Sequence, residues 1–121
     1  MEDSILKSVK KVLGVPEDYN VFDLDIVMHI NSVFSILGQL GVGPTEGFSI
    51  EDEAATWDEF FFESDLNTIR SYVYLRVRML FDPPTTSFLL DAMTKQIQEF
   101  EWRISTQREW NLDPNDPMEV S

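Results

Sequence analysis

The chain has 121 residues, of which 43% are hydrophobic and 26% charged, proportions that are typical of a single globular domain. It has no cysteine, which excludes disulfides, thiolate zinc sites and cysteine nucleophiles. Its formal net charge of −13 disfavours specific binding to the phosphates of nucleic acid.

The basic residues are confined to the two ends of the chain. Between Val12 and Ile69 there is no Lys or Arg, while twelve acidic residues occur there. Such an acidic surface either serves solubility alone or suits a protein that lies near DNA without holding it. No apolar run approaches the roughly 18 residues of a membrane span. The charged start MEDSILKSVKK lacks the order of a signal peptide, so we expect a soluble, non-secreted protein.

The first two apolar segments predict helices. The first helix is expected over residues 3–13, with Ile5, Val9 and Val12 on one face, and to end at Gly14. The second is expected to open at Asp23 as N-cap and to end at Gly41. Its apolar residues form two stripes, so it is predicted to be a central helix with several neighbours. The stripes are Val27, Ile30, Phe34 and Leu37, and Ile26, Val33, Ile36 and Leu40.

The middle of the chain predicts a loop followed by a short helix and a longer one. GVGPTEGFSI, residues 41–50, lacks the Lys-Ser/Thr ending of a phosphate-binding loop. A short helix over 54–61 places Trp57, Phe60 and Phe61 on one face. A fourth helix, capped by Ser64 or Asp65, must stop near Phe81 because Pro83 and Pro84 follow. Its predicted core residues are Leu66, Ile69, Val73, Val77 and Leu80.

The fifth helix begins after the two prolines. Thr85, Thr86 and Ser87 are candidate N-caps, and the helix is expected to reach about Glu109, a length of about 35 Å. Its predicted core stripe is Met93, Ile97, Phe100 and Ile104. The sequence therefore predicts an all-α fold, a small bundle of four to five helices with a long fifth helix. Residues 1–109 would form one domain, and residues 110–121 a flexible tail.

The residues give no support for an enzyme, a cofactor or a metal site. His29 is the only histidine, so it lacks the second ligand or the nucleophile that such chemistry needs. The adjacent acids at 51–53 and 58–59 are typical of a solvated face, and the spacing of a calcium loop is absent. We therefore expect no catalytic residues and no bound cofactor.

The fifth helix instead suggests an interface. Trp102 lies about 200° around the helix from Phe100 and so roughly opposite the core stripe. Trp110, Arg103 and Arg108 lie nearby, and Trp and Arg are enriched at interfaces. The alternative is that Trp102 folds under the first helix or a loop.

Three stretches of the chain resemble the small helical head–tail connector (adaptor) proteins of long-tailed bacteriophages. They are SILKSVKKVLGV with the acidic turn and helix that follow it, FSIEDEAATWDEFF, and TIRSYVYLRVRMLFDPPTTSFLLDAMTKQIQEFEWRI. The resemblance implies a bundle assembled as a ring, commonly a dodecamer, and no catalytic motif. Such a ring would lie in the neck of the virion after synthesis in the host cytoplasm. It would contact the portal protein above and the next neck or tail protein below, with DNA passing through.

These observations lead to one function hypothesis and one alternative. A structural ring around DNA would place Glu46, Glu51, Asp52 and Glu53 towards the channel. It would use Trp102, Arg103, Arg108 and Trp110 for contacts with neighbouring subunits or the portal. The alternative is an acidic protein that mimics DNA and inhibits a nucleic-acid enzyme, which acid density alone would also suit.

Overall fold

Five α-helices make up the fold in the residues that the structure, a computed structural model, describes: 4–44, 46–60 and 66–112. For Leu66 and residues 107–112 only the backbone is described. The helices are α1 (Ile5–Leu13), α2 (Asp23–Gln39), α3 (Trp57–Phe60), α4 (Leu66–Phe81) and α5 (Ser87–Leu112). Within these ranges the extended backbone amounts to one isolated bridge, between Ser4 and Thr56. The predicted all-α class is confirmed.

Helix α1 is fixed at both ends by its own sequence. The Ser4 side chain accepts a hydrogen bond from the Lys7 backbone N–H, and Gly14 ends the helix in the left-handed conformation at φ 80°. The predicted start at Asp3 lies outside the described residues. Of the three residues predicted to share one face, Ile5 and Val9 are buried, whereas Val12 is 45% exposed. It lies at the rim of an open groove whose other lining residues belong to α4 and α5.

Helix α2 carries the centre of the core. The whole first predicted stripe is buried, as are Ile26 and Val33 of the second, whereas Ile36 and Leu40 are half-buried. The predicted N-cap is displaced by one residue, because Phe22 occupies that position and its side chain makes no cap hydrogen bond. Asp23 is instead the first helical residue, and its carboxylate pairs with Lys10.

Helix α4 is the middle layer, packed against α1, α2 and α5. Ile69, Val73 and Val77 are buried as predicted. Leu80 is 50% exposed, so its assignment to the core is wrong. It lies in the last turn of α4, where the neighbouring Phe81, rather than Leu80, turns inward to contact Phe22 and His29.

Helix α5 returns antiparallel to α4 and has α4 as its principal helical partner among the described residues. Its first turn is capped by Thr86, whose Oγ1 accepts a hydrogen bond from Leu89 N at 3.3 Å. Ile97 and Ile104 are buried against α4, and Met93 and Phe100 are half-buried, as the predicted stripe requires. The helix continues to Leu112, three residues beyond the predicted end, and spans about 39 Å. The predicted tail comprises residues 110–121; of these, residues 110–112 belong to α5, and 113–121 lie outside the described residues.

The loop after α2 depends on one glycine that cannot be replaced without a clash. Gly43 has φ 93°, and a Cβ at this position would lie 2.6 Å from the ring of the buried Phe60. Gly47 has nearly the same φ, 94°, but a Cβ there would meet nothing within 4 Å. Substituting Gly47 would therefore introduce backbone strain alone, whereas substituting Gly43 would introduce the same strain and a steric overlap.

We expect Gly43→Ala to lower the free energy of unfolding by about 1–3 kcal/mol more than Gly47→Ala does. In both variants an alanine must adopt the left-handed conformation, which lowers stability. Only Gly43→Ala must also displace an aromatic ring. Urea unfolding followed by far-UV circular dichroism measures both values. Equal losses in the two variants would show that the Phe60 ring moves aside at little cost.

Candidate functional site

The four acids predicted to face a channel are exposed but fall into two separate places. Glu46 lines a groove of about 780 Å³ between the C-terminal half of α2 and the loop 41–49. The residues Glu51, Asp52 and Glu53 line a different groove, of about 610 Å³, beside the N-terminal half of α2. The structure thus brings three of the four acids together and leaves Glu46 apart.

Hydrogen bonds between side chains of other elements and the local backbone hold the acidic segment 51–53 at both ends. Before it, the Asn31 side chain donates to Ile50 O at 3.0 Å and accepts from Ile50 N at 2.8 Å. After it, Ser4 Oγ donates to Glu53 O at 2.8 Å. Because both flanks are fixed to helices, the three carboxylates are presented from a defined backbone, although the segment itself is irregular.

Helix α5 presents a free face with a large aromatic residue near each end. Phe88 is 80% exposed and Trp102 is 68% exposed, so Trp102 does not fold under α1 or a loop. Arg103 is exposed beside Trp102 and pairs with Glu99 at 3.0 Å. The side chains of Arg108 and Trp110, predicted for the same interface, lie outside the described residues.

Sequence reasoning missed Phe88 and two apolar residues of α2. Leu24 and Met28 are 72% and 60% exposed on the outer side of that helix. The signal for Phe88 was available, since it lies about 180° around α5 from the buried Ile97. For Leu24 and Met28 the signal was the excess of apolar residues around α2, more than one core can cover.

The joint between α4 and α5 is polar at its centre. The buried Tyr72 donates its hydroxyl hydrogen to Glu101 Oε2 at 2.7 Å, and the Arg76 guanidinium lies 3.8 Å from the same oxygen. Burial, and then the hydrogen bond to the Glu101 carboxylate, raise the pKa of Tyr72 well above its ordinary value of 10.0. Tyr72 therefore remains a hydrogen-bond donor at any ordinary pH and ties α5 to α4 at a fixed level.

We expect Tyr72→Phe to lower the free energy of unfolding by about 1.5 kcal/mol at pH 7, because a hydrogen bond to a charged acceptor is lost. The folded protein keeps the Tyr72 proton, whereas the unfolded chain loses it above pH 10. The contribution of Tyr72 is therefore fully present below pH 10 and declines as the pH rises beyond it. Urea unfolding between pH 7 and 11 should show a smaller alkaline loss in the variant; an identical loss would contradict the assignment.

The described residues contain one histidine and no cluster of the usual metal ligands. His29 is half-buried with its ring 6.5 Å from the ring of Phe81. Within 4–44, 46–60 and 66–112, no group of three or more His, Asp or Glu residues is placed to hold a metal ion. In the same ranges, no helix is long and apolar enough to cross a membrane.

These features define a class: a small all-α protein whose distinctive surfaces are exposed apolar helix faces and a fixed acidic segment. Comparison with known proteins gives the family. The sequence model of the phage connector protein family matches residues 5–111, nearly the whole of the described chain, and the protein belongs to that family. No curated protein and no solved structure matches the chain significantly.

Proposed function

We propose that the protein is a non-enzymatic head–tail connector that assembles as a ring beneath the portal of a long-tailed phage and forms part of the DNA channel. The observation that carries the proposal is the family match over residues 5–111. Such a ring joins the portal above to the next neck or tail protein below, and its place is the virion neck.

The surface of α5 supports self-assembly. A ring is the closed form of a heterologous interface, in which two different faces of each subunit meet. The exposed Phe88 and Trp102 lie on one face of α5, with Lys95 and Glu99 between them, and the exposed Leu24 and Met28 lie on α2. Trp102, Arg103, Arg108 and Trp110 are the residues that we propose for contacts with neighbours or the portal.

The acidic segment supports the channel role. We propose that Glu51, Asp52 and Glu53, with Glu46, lie towards the DNA. Fixed carboxylates repel the phosphate backbone, so DNA can slide without being held. The hydrogen bonds that fix residues 50 and 53 would hold the backbone of Glu51, Asp52 and Glu53 in the same place in every subunit of such a ring.

Mixing the full chain with portal protein tests the assembly proposal. We expect light scattering to rise and negative-stain images to show rings seated on the portal. A protein that never binds portal contradicts the proposal, whereas a monomer in isolation does not, because assembly can require the partner. Tight, salt-sensitive binding to a basic nuclease in place of portal would favour the DNA-mimic alternative.

A further inference from the structure

The free face of α5 and the free face of α2 are complementary to each other. The α5 face, from Phe88 to Trp102, has its two aromatic residues fourteen positions apart, about 40° around the helix and about 21 Å along it. The α2 face comprises Leu24, Met28, Ser32, Ser35 and Gly38, all exposed. It also spans fourteen positions and about 21 Å.

The two faces lie on different sides of the same subunit. Helix α4 packs against both α2 and α5 and separates them. The end of α4 contacts the first half of α2 through Phe81 and His29. The first half of α4 contacts the later part of α5 through Tyr72 and Glu101. Thus both helices run antiparallel to α4 and parallel to each other. A neighbour related by a small rotation would therefore bring its α5 face alongside this α2 face with the helices parallel.

A parallel alignment places Phe88 beside large apolar residues and Trp102 beside small ones. Phe88 would then meet the apolar start of the α2 face, Leu24 and Met28. Trp102 would meet its small end, Ser35 and Gly38. These two small residues also line the groove of about 780 Å³ beside α2, whose other walls include aromatic rings, so the groove has room for an indole ring.

The presence of glycine at position 38 independently supports close contact with another molecule at this end of the α2 face. Gly38 lies in the last turn of α2 without the positive φ that would require glycine, and a Cβ there would meet nothing within 4 Å in its own chain. Glycine costs up to about 1 kcal/mol relative to alanine in a helix, the full cost applying in the helix interior. Nothing within the described chain offsets that cost, whereas close approach by a side chain from another molecule would.

The charges agree with the same alignment. Arg103 follows Trp102 on α5, and the charged residue among the described walls of the groove is Glu46. The Arg103–Glu99 pair is exposed on both sides, so little is lost when Arg103 turns to a new partner. The first turn of α2 carries two acidic residues, Asp23 and Asp25.

We propose that the α5 face of one subunit packs on the α2 face of a second copy of this chain, with Trp102 in the groove beside Ser35 and Gly38. The inference rests on the proposed ring and names the two faces that close it. It commits Trp102 to contact between subunits rather than to contact with the portal, and it assigns Glu46 to the same interface rather than to the channel.

Cysteine cross-linking tests the pairing directly, because the natural chain has no cysteine. Glu99→Cys and Ser35→Cys each lie three residues before the C-terminal end of their face, and both sites are exposed. On portal-bound rings made from a mixture of the two variants, we expect a short bis-maleimide to give cross-linked dimers. Lys11→Cys is the matched control: it is equally exposed but off both faces, and with Glu99→Cys it should give little product.

A charge exchange provides the second measurement. Arg103→Glu and Glu46→Lys should each weaken assembly on the order of tenfold, and the double variant should recover most of that loss. Trp102→Ala should weaken assembly by roughly thirty-fold, as expected for a tryptophan anchor, with an unchanged far-UV spectrum.

These experiments test the pairing of the two faces separately from the connector function. Rings on the portal without the Glu99–Ser35 cross-link, or without rescue by the charge exchange, would overturn the pairing and leave the connector role intact. Failure of the unmodified chain to form rings with portal would overturn both.

Discussion

Replacing Trp57 by alanine is expected to lower the free energy of unfolding by about 3–5 kcal/mol, the range for a large aromatic residue in a core. Trp57 is fully buried, and its ring packs edge-on against Phe34 and Tyr74. Its Nε1 donates to Ser8 Oγ at 2.9 Å, and the Arg70 guanidinium lies 5.1 Å from its ring centroid. The loss would consume much of the 5–15 kcal/mol that a typical domain has.

Trp102→Ala is the matched control for Trp57→Ala, because it makes the same change at an exposed site. We expect it to alter the free energy of unfolding by no more than about 0.5 kcal/mol. Urea unfolding followed by far-UV circular dichroism reports on both variants and does not depend on tryptophan fluorescence. A comparable loss in both would mean that Trp102 supports the fold of the subunit, which would count against its role between subunits.

The consequence of losing Trp57 should extend beyond the core. The short helix α3 that carries it has only four residues and is too short to persist without packing. The Trp57 side chain donates a hydrogen bond to Ser8 of α1. One turn earlier, at the start of α1, Ser4 bonds to Glu53 and Ile5 bonds to Ala55. Trp57 therefore also determines where the acidic segment lies.

The helices themselves follow from the sequence because their causes are local. The spacing of Val27, Ile30, Phe34 and Leu37 commits α2 to a buried stripe wherever its neighbours lie. The two prolines at 83 and 84 end α4 by steric restriction alone, and the hydroxyl of Thr86 caps the next helix as its residue type predicts. No tertiary information is needed for any of these.

The errors occur where tertiary contacts decide. Val12 and Leu80 continue the apolar stripes of their helices, but each lies near the end of its helix, beyond the reach of the packed neighbours. Tyr72 was not assigned to the core, although it is fully buried, because its place depends on Glu101 twenty-nine residues later. Periodicity identifies a face of a helix but not how far along the helix that face is covered.

Some features of the candidate site also follow from the sequence, whereas others depend on tertiary contacts. The exposure of Trp102 follows from its angle on α5, which the sequence contains. The separation of Glu46 from the segment 51–53 does not, because it depends on Asn31 fixing the loop at Ile50. The proposed pairing of the two free faces could not be predicted from the sequence either. It depends on α2 and α5 packing on α4, which is a property of the whole chain.

Lys10 is the clearest case of a residue that local rules describe incompletely. At the end of α1 it suits the helix dipole, as Lys11 does, but in the structure Lys10 is buried and Lys11 is exposed. Its Nζ lies 2.8 Å from Asp23 Oδ1, as a charge contact rather than a well-directed hydrogen bond, and donates to Glu17 O at 3.1 Å and to Asn20 Oδ1 at 3.4 Å. One ammonium thus connects the end of α1 to the start of α2.

We expect Lys10→Met to lower the free energy of unfolding by about 3 kcal/mol. Methionine fills the space of the lysine stem, but Asp23 and two polar oxygens lose their cation. Breaking a fully buried pair costs about 3–5 kcal/mol, and the Asp23 side chain is about one-third exposed, so the lower end of that range applies. Lys11→Met, one residue away on the surface, should change stability by less than about 0.5 kcal/mol.

Adding Asp23→Asn to Lys10→Met separates the charge from the shape. If the cost arises from an uncompensated carboxylate, the double variant should be more stable than the sum of the two single losses by about 1–2 kcal/mol, measured by urea unfolding. Additive losses would show instead that Lys10 acts through its contacts with the turn at Glu17 and Asn20. Either way the effect should reach assembly, because the start of α2 that Lys10 holds in place carries Leu24 and Met28, the apolar end of the face proposed to receive the neighbouring subunit.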